Sequence, residues 1–395
     1  MPTWVFEWHA APGCSERGEV ANAMRLSVMT QTAFALAVTT AAAAFAEPLP
    51  PIPDGAFTYV CIPDTQAYKS KKDPSLPGGW REKNKSFDTR VDWIVANAKK
   101  QRIFFVSHMG DVVEVNRQSQ WDFASKEMGK LDGVVPYGIC PGNHDQQRNT
   151  ERVGDTSLFA AAFPPSRFAS RPWYAGCFAG FTNSYGVAVC GANANSCQLV
   201  DAGGFRFVIL HIECNAPEPV LAWADGMLER YSDRKAIIAT HMFIGYTKSS
   251  YRTENAKAGW TLKPRPDQLG LVGWAKRHGR EAVSGKKMWE RHFAKHANVF
   301  LIVCGDQGPV ITHHMELKGE KGNVVHAFLQ DYPKNDESDW IRLFRFQPKD
   351  GKIEVYTYSP QSDSLCGGVS YWPEAHWHRF TIPFDAASRG GRRGE

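Results

Sequence analysis

Six short apolar runs, each followed by polar residues, constrain the fold of this chain more than any other feature of its sequence. The runs are rich in Val, Ile and Phe and are short, which predicts buried β-strands. They occupy residues 57–62, 103–107, 134–140, 205–212, 236–239 and 299–304. Helical patterns lie between them, at residues 87–100, 120–131, 221–229 and 288–296. This alternation predicts an α/β fold with helices covering both faces of a sheet.

The C-terminal part of the chain departs from this alternation. Residues 324–329, 340–346 and 353–358 have strand patterns with no helical pattern between them, which predicts a second, largely antiparallel sheet. We therefore expect one large domain over residues 47–385. A terminal segment, residues 1–46, would precede it, and a disordered basic tail, residues 386–395, would follow it.

The N-terminal segment has the pattern of a secretory signal peptide. Arg25 precedes an apolar, Ala-rich run that ends in Ala44-Phe45-Ala46, an Ala-x-Ala cleavage pattern. We predict removal of residues 1–46 and export to the periplasm or the exterior. A mis-assigned or disordered extension is the alternative. No later segment is long and apolar enough to span a bilayer, so no membrane span is expected after the signal is removed.

Composition limits the class of partner. The chain is 43% hydrophobic and 22% charged, as in ordinary globular proteins, and its net charge of +5 is too small to indicate a nucleic-acid partner. Export would permit disulfides, and Cys177, Cys190 and Cys197 lie in a region rich in Gly, Asn and Ser. Two of these three can pair, and the pair Cys190–Cys197 is favoured, although spacing does not fix the choice.

One loop-like segment carries an excess of positive charge. Residues 247–287 contain ten Lys or Arg and three Asp or Glu. A loop of this length in a compact domain is usually functional or disordered. It is either a solvated surface loop or a basic rim beside an anionic substrate.

Polar residues that can ligate a metal follow five of the apolar runs. They are Asp64 and Gln66; Asp111; Asn143, His144 and Asp145; His241; and Asp306. The carboxyl ends of strands are where α/β folds place their active sites. Taken singly, Asp64 also fits a turn and His241 a buried core histidine, but the ordered set favours a metal site.

The donor types in this set indicate the metal chemistry. Carboxylate, amide oxygen and imidazole suit hard or borderline divalent ions such as Mn, Fe, Zn or Mg. Two such ions about 3.5–4 Å apart would polarise a phosphoryl group and supply a hydroxide nucleophile. We therefore expect one or two divalent ions as cofactors.

The ordered motifs resemble those of the calcineurin-like metallophosphoesterase superfamily. The family pattern is D-x-H, G-D, G-N-H-D/E, a lone H and G-H-x-H. The corresponding segments here are residues 64–66, 110–111, 142–145, 241 and 305–308, and the resemblance covers residues 56–360. It implies a four-layer α-β-β-α sandwich of two mixed β-sheets with the metals at the strand ends.

The resemblance also implies a role for each residue. Asp111 would bridge two ions, Asp64 would bind the first, and the second would be bound by Asn143 and His241. His144 would contact the phosphate and assist the leaving group, with Asp145 orienting it. A His beside a carboxylate keeps one tautomer and can donate a proton to a departing alkoxide.

Two motifs depart from the family pattern. Gln66 stands in place of the His of the first motif, and its amide oxygen can still bind a metal. In the last motif Asp306 and Gly308 stand in place of two His residues. Asp306 can ligate the second ion, whereas the first ion would need a further ligand such as His313 or His314.

The leading hypothesis is an exported metal-dependent phosphoesterase. It would hydrolyse phosphate mono- or diesters, with a phosphorylated small molecule as substrate, by attack of a metal-activated hydroxide. The departures in the motifs leave an alternative, a catalytically weak or inactive binding protein on the same fold. A nuclease is a third hypothesis, which the modest net charge disfavours.

Overall fold

The part of the chain that can be described begins at Glu47. The computed structural model describes residues 47–66, 85–146, 154–245, 278, 281–306, 311–332, 339–368 and 375–385, which all belong to one unit starting at Glu47. The predicted signal segment, the C-terminal tail and most of the basic segment 247–287 lie outside these residues. Within them, no helix has the length and apolar character needed to cross a membrane.

The described residues include sixteen β-strands. They are β1 (Phe57–Ile62), β2 (Ile103–His108), β3 (Tyr137–Ile139), β4 (Tyr174–Cys177), β5 (Phe181–Thr182), β6 (Ala188–Val189), β7 (Ser196–Ala202), β8 (Phe205–Ile212), β9 (Lys235–Thr240), β10 (Val299–Cys304), β11 (Ile311–Lys318), β12 (Val324–Asp331), β13 (Ile341–Gln347), β14 (Lys352–Ser359), β15 (Ser364–Leu365) and β16 (Arg379–Pro383). All six runs predicted as strands are confirmed.

These strands form two large mixed sheets and one small hairpin. The first sheet has the order β15-β14-β13-β1-β2-β3, with β16 also paired to β14. The second has the order β11-β12-β10-β9-β8-β7-β4. In each sheet a parallel centre is extended by antiparallel strands: β1, β2 and β3 are parallel in the first, and β8, β9, β10 and β12 in the second. Strands β5 and β6 pair separately.

Helices connect the parallel strands. They are α1 (Lys85–Asn97), α2 (Gln118–Gly129), α3 (Ser157–Ala162), α4 (Pro165–Phe168), α5 (Glu218–Arg230) and α6 (Gly285–Arg291), with 3₁₀ turns at Phe293–Lys295, Pro348–Asp350 and Ala375–Trp377. The four predicted helices correspond to α1, α2, α5 and α6. The last one is shorter than predicted because it ends at Arg291 and continues only as a 3₁₀ turn.

Three apolar clusters separate four layers. Residues of β1 alternate between them: Tyr59 and Cys61 lie in the cluster between the sheets, whereas Val60 and Ile62 face the cluster that includes residues of α1 and α2. On the second sheet, alternate residues of β8 pack in the same way against α5 and α6. The two-residue period therefore buries both faces of each sheet, and the predicted α-β-β-α sandwich is confirmed.

Two details of the sequence interpretation are wrong. The three C-terminal strands do not form a sheet of their own, because β12 joins the second sheet while β13 and β14 extend the first beside β1. A strand pattern gives no information about its pairing partner. The proposed Cys190–Cys197 disulfide is absent too, since all eight cysteines of the described part, Cys177 included, are free.

Candidate metal centre

The metal-ligand residues predicted from sequence meet where strands of the two sheets end. Asp64 follows β1, Asp111 follows β2 and Asn143 follows β3, all in the first sheet. His241 follows β9 and Asp306 follows β10 in the second sheet. The site therefore lies between the carboxyl ends of two sets of parallel strands, where α/β folds bind their ligands.

His241 lies at the centre of the site. Its Nε2 is 3.2 Å from Asp111 Oδ1 and 3.1 Å from Asn143 Oδ1, and its Nδ1 is 2.9 Å from the carbonyl oxygen of Met109. Because a carbonyl only accepts, Nδ1 carries a proton and donates it to Met109. Nε2 then faces two oxygen acceptors, an arrangement that requires a cation, either a proton on Nε2 or a metal ion.

The charges around His241 favour that cation. Burial lowers the pKa of His241, but Asp111, Asp64 and Asp306 outweigh it and raise this pKa well above its ordinary value. Burial raises the pKa of Asp111, and His241 and His144 outweigh it to bring that pKa down to about 2. The site therefore holds buried negative charge that a bound cation would neutralise.

Asp64 borders the site, with its Oδ1 4.0 Å from His241 Nδ1, and Gln66 lies two residues further along the chain. Asp64 Oδ2 and Gln66 Oε1 are buried and have no hydrogen-bond partner among the described residues. Burial raises the pKa of Asp64, and the neighbouring carboxylate of Asp331 raises it further. Buried acceptors without donors are costly in a protein interior unless a cation is bound to them. Ligand atoms of Asp64, Asp111 and His241 lie within 4.8 Å of one another, a suitable span for one ion.

Asp306 approaches both sides of the site. Its Oδ1 is 3.7 Å from His241 Nε2, and its backbone N–H donates to Asp64 Oδ1 over 3.4 Å. The other two suggested ligands have different surroundings: the ring of His313 lies beside Trp377, and His314 Nε2 is 3.1 Å from His326 Nδ1.

His144 is next to the metal ligands and is partly accessible, with 20% of its side chain exposed. Its backbone N–H donates to Asp111 Oδ1 over 2.8 Å, and its Nε2 is 3.9 Å from Asp111 Oδ2. Its Nδ1 lies 2.9 Å from the carbonyl oxygen of Glu114, so Nδ1 carries a proton. The ring is thereby oriented with Nε2 beside the carboxylate of Asp111.

The carboxylate of Asp145 is held by backbone groups. It accepts from the backbone N–H groups of Val112, Val113 and Gly142, over 3.1, 3.0 and 2.7 Å. That Asp145 orients His144 stays a prediction, and the Nδ1 of His144 lies against the carbonyl oxygen of Glu114. Asp145 joins the loop after β2 to the loop after β3.

Two glycines allow the ligand loops to approach each other. A Cβ on Gly142 would lie 2.2 Å from the backbone nitrogen and Oδ1 of Asp111, and one on Gly305 would lie 2.2 Å from Asp64 Oδ1. Any side chain at these positions would displace a predicted ligand. Close packing therefore explains the glycine of the G-N-H-D motif and the glycine that begins the last motif.

Three further residues support the site. Asp331 ends β12 beside Asp64, Glu114 provides the carbonyl that orients His144, and the Arg90 side chain donates to the backbone oxygen of Asp64 over 3.2 Å. The role of Arg90 could have been suspected from the sequence, because Arg90 is a charged residue on the apolar face of α1, which also carries Phe87 and Ile94. The role of Glu114 could not, since a backbone carbonyl is present whatever the residue type.

The donor set of the site fits a divalent metal centre. Carboxylate oxygens, one or two amide oxygens and one imidazole lie in a buried, negatively charged region. Some of its acceptor atoms receive no hydrogen bond from the described residues. These are donors for hard or borderline ions. Two ions at such a site would act on a substrate with exposed oxygen atoms.

Sequence comparison finds one distant relative with no assigned function. No family model matches the chain. The Bacillus subtilis (strain 168) protein YvnB, described as uncharacterized, is 25% identical over 320 residues. This match covers 79% of the present chain and 20% of YvnB, so the chain spans about one fifth of the length of that relative.

Solved structures with a similar fold include phosphoesterases. A dimetal phosphatase from Danio rerio has a TM-score of 0.41 at 14% identity and covers 85% of this chain and 100% of its own. The calcineurin-like phosphoesterase YfkN from Bacillus subtilis has a TM-score of 0.39 at 10% identity, and the match covers 87% of this chain and 94% of YfkN. A 5'-nucleotidase precursor from Thermus thermophilus has a TM-score of 0.38 at 13% identity, and the match covers 85% of this chain and 55% of the nucleotidase.

These neighbours are phosphatases, phosphoesterases and nucleotidases, the kind of protein that the sequence motifs resemble. Their TM-scores are all below 0.5. The functional assignment therefore depends on the geometry of the site in this chain.

Proposed function

We propose that this chain is a metal-dependent phosphoesterase that hydrolyses phosphate mono- or diesters. One observation carries the proposal: His241 Nε2 faces the oxygens of Asp111 and Asn143 at 3.2 and 3.1 Å, inside a buried group of carboxylates. A metal ion in place of a proton would satisfy both oxygens there, and the donor types suit Mn, Fe, Zn or Mg. When bound, such ions polarise a phosphoryl oxygen and lower the pKa of water.

Each residue then has a distinct task. Asp111 lies between the two sides of the site and would contribute to both ions. Asn143 and His241, with Asp306, would hold one ion, and Asp64 and Gln66 would hold the other. Asp331, which lies close enough to Asp64 to raise its pKa, is the acidic group best placed to replace the missing His of the family pattern.

His144 would assist the leaving group. Its Nδ1 donates to the carbonyl of Glu114, which leaves Nε2 as the nitrogen that exchanges a proton with substrate. The carboxylates of Asp111 and Glu114 lie 3.9 Å from its Nε2 and its Nδ1 respectively. Proton donation from a positioned His contributes about 10²–10⁴-fold to such reactions.

The test is hydrolysis by the purified chain loaded separately with Mn²⁺, Zn²⁺, Fe²⁺ or Mg²⁺. Aryl phosphate mono- and diesters are the substrates. We expect turnover with at least one ion and a loss of about 10²–10⁴-fold in kcat in the His144→Ala variant at unchanged metal content. The exposed His376 provides the control, since His376→Ala should retain full activity. Absence of turnover on both ester classes with every ion would contradict the proposal.

The second candidate is a binding protein with little or no catalytic activity. It is favoured by Gln66 and Asp306, which replace imidazole donors of the family pattern with weaker ligands for transition metals. Metal analysis after reconstitution distinguishes the two candidates. Less than one equivalent of metal ion per chain, not counting any ion bound by cysteine, would favour the binding protein. Two equivalents of metal ion per chain would favour the enzyme.

Export is proposed on the sequence pattern of residues 1–46. The Ala44-Phe45-Ala46 site would release a chain beginning at Glu47, which is also where the described unit starts. N-terminal sequencing of protein from the culture medium or periplasm should give Glu47 as the first residue. An intact N-terminus on cell-associated protein would refute the proposal.

A further inference from the structure

A second group of metal-ligand side chains lies outside the centre described above. Cys190 follows β6, Glu213 follows β8, and His278 belongs to the basic sequence segment 247–287. One ligand atom from each lies within 4.8 Å of the others, and all three residues are almost completely buried. A free Cys beside a buried carboxylate and imidazole has little value for packing alone.

Hydrogen bonds hold the carboxylate of Glu213 in place. Its Oε1 accepts from Asn195 Nδ2 at 2.5 Å, and its Oε2 from His278 Nε2 at 3.0 Å and Gln146 Nε2 at 3.4 Å. Asn195 also donates to the backbone oxygen of Cys190 over 3.0 Å, which fixes the distance between Cys190 and Glu213. The cluster is thus positioned by its own polar network, as metal ligands are by the residues around them.

Two buried atoms of this network have no partner. His278 Nδ1 and Gln146 Oε1 make no hydrogen bond within the described part of the chain. Leaving a buried polar atom unpaired is unfavourable. A cation bound in the cluster would accept lone pairs from such atoms and remove that cost.

The charges of the cluster also suit a cation. Glu213 is a buried carboxylate whose Oε2 lies 3.0 Å from His278 Nε2. With a divalent ion a thiolate, a carboxylate and a neutral imidazole balance the ion's charge, and a buried site with no net charge is the least costly kind.

We propose that Cys190, Glu213 and His278 form a second metal site, specific for Zn²⁺ and separate from the centre around His241. Thiolate, imidazole and carboxylate are typical zinc ligands, and three of them leave one tetrahedral position for water or a neighbouring amide. The proposed catalytic centre has no sulfur donor, so the two sites differ in the ions they prefer.

The site would join three distant parts of the chain. It would connect the turn after β6 and the end of β8 to His278, and Gln146 links it to the loop that carries Asp145. Zinc would therefore stabilise the chain next to the catalytic loop. This role does not depend on the proposed phosphoesterase activity.

The test uses the full chain, stripped with a chelator and reconstituted with Co²⁺ in place of Zn²⁺. Bound Co²⁺ should give a thiolate-to-cobalt charge-transfer band, because only this cluster offers sulfur to a metal among the described groups. Cys190→Ser should abolish the band and reduce bound metal by one equivalent per chain. Cys177→Ser, in the same region but only partly buried, should retain both.

Two further measurements keep the result decisive. Asp111→Asn should keep the band while losing metal at the other centre, which separates this proposal from the phosphoesterase. If Cys190→Ser does not fold, His278→Gln should shift or weaken the band in folded protein. A folded wild-type chain that binds Co²⁺ without a thiolate band, or a band unchanged in the Cys190 and His278 variants, would overturn the proposal.

Discussion

The two sides of the centre around His241 are built differently. On one side, which we call the His241 side, His241 Nε2 contacts Asn143 and Asp111 directly, and its Nδ1 is held by Met109. On the Asp64 side, Asp64 Oδ2 and Gln66 Oε1 have no hydrogen-bond partner within the described residues, and Asp331 adds a further carboxylate. The first side is held together by contacts between protein groups, whereas the second has buried acceptor oxygens with no donor among the described residues.

This difference predicts two ions of unequal affinity. The His241 side has an oriented imidazole and contacts that exist before an ion arrives, so little reorganisation is needed on binding. The Asp64 side brings like charges together, and the burial that raises the pKa of Asp64 also opposes its charged form. We expect the ion of the His241 side to bind first and more tightly.

The largest effect is expected at the residue shared by both sides. Asp111→Asn should lower kcat/KM by more than about 100-fold and reduce the content of both ions, because even outer partners of metal ligands contribute about 10–100-fold. Metal analysis and phosphoester hydrolysis on the same preparation measure this. Asp350→Asn, a change to an exposed carboxylate in the 3₁₀ turn Pro348–Asp350, is the control. Loss of only one ion would show that Asp111 is not shared.

Asp331→Asn should distinguish the two sides. We expect it to weaken the ion of the Asp64 side by about tenfold or more and leave the His241 side unchanged. Titration of stripped protein with Mn²⁺, followed calorimetrically, should show the weaker binding step move to higher concentration. An equal effect on both steps would contradict the assignment of Asp331 to one side.

Gln66→His restores the donor that the family pattern has at this position. Imidazole is a better ligand than an amide for Zn²⁺ and Mn²⁺, so the dissociation constant of the weaker site should fall roughly tenfold, about 1.4 kcal/mol. The same calorimetric titration measures it, and Gln66→Asn controls for the size of the side chain. Unchanged affinity would show that residue 66 does not reach the ion.

The smallest effect is expected from a substitution at His292, in a cluster where positively charged side chains of the protein itself surround a carboxylate. On α5, Asp225 accepts from His292, Lys295 and His296, each at 2.7–2.8 Å, and its pKa is lowered despite burial. The hydrogen bond to Asp225 raises the pKa of His292 above its ordinary value. His292 therefore stabilises the fold fully below its unfolded pKa of about 6.5, and this stability is lost as pH rises through the folded value.

Urea unfolding in the presence of a chelator tests this expectation. His292→Gln should lower the free energy of unfolding by about 1 kcal/mol at pH 6, and the difference from wild type should shrink at pH 9. Metal content should stay unchanged, in contrast to the Asp111, Asp331 and Gln66 variants. A deficit that grows with pH would contradict the sign of this linkage.

The sequence was sufficient for the layers and for the convergence of the ligands. Strand runs have a simple two-residue period, and polar residues placed after parallel strands must meet at one edge of a sheet. The pairing of β13 with β1 was not predictable, because a pattern of buried residues does not specify a neighbour. The backbone contacts of Asp145 and the grouping of Cys190 with Glu213 and His278 were not predictable, because they depend on backbone groups and on residues far away in the sequence.

The carboxylate of Asp145 has a consequence for the rate at which the protein takes up its ions. Because it clamps the amides of Val112 and Val113 to that of Gly142, the segments bearing Asp111 and Asn143 cannot drift apart independently. The metal-free protein should keep the ligands of that side in place, and ion uptake should be limited by diffusion and dehydration of the ion rather than by slow rearrangement of the chain.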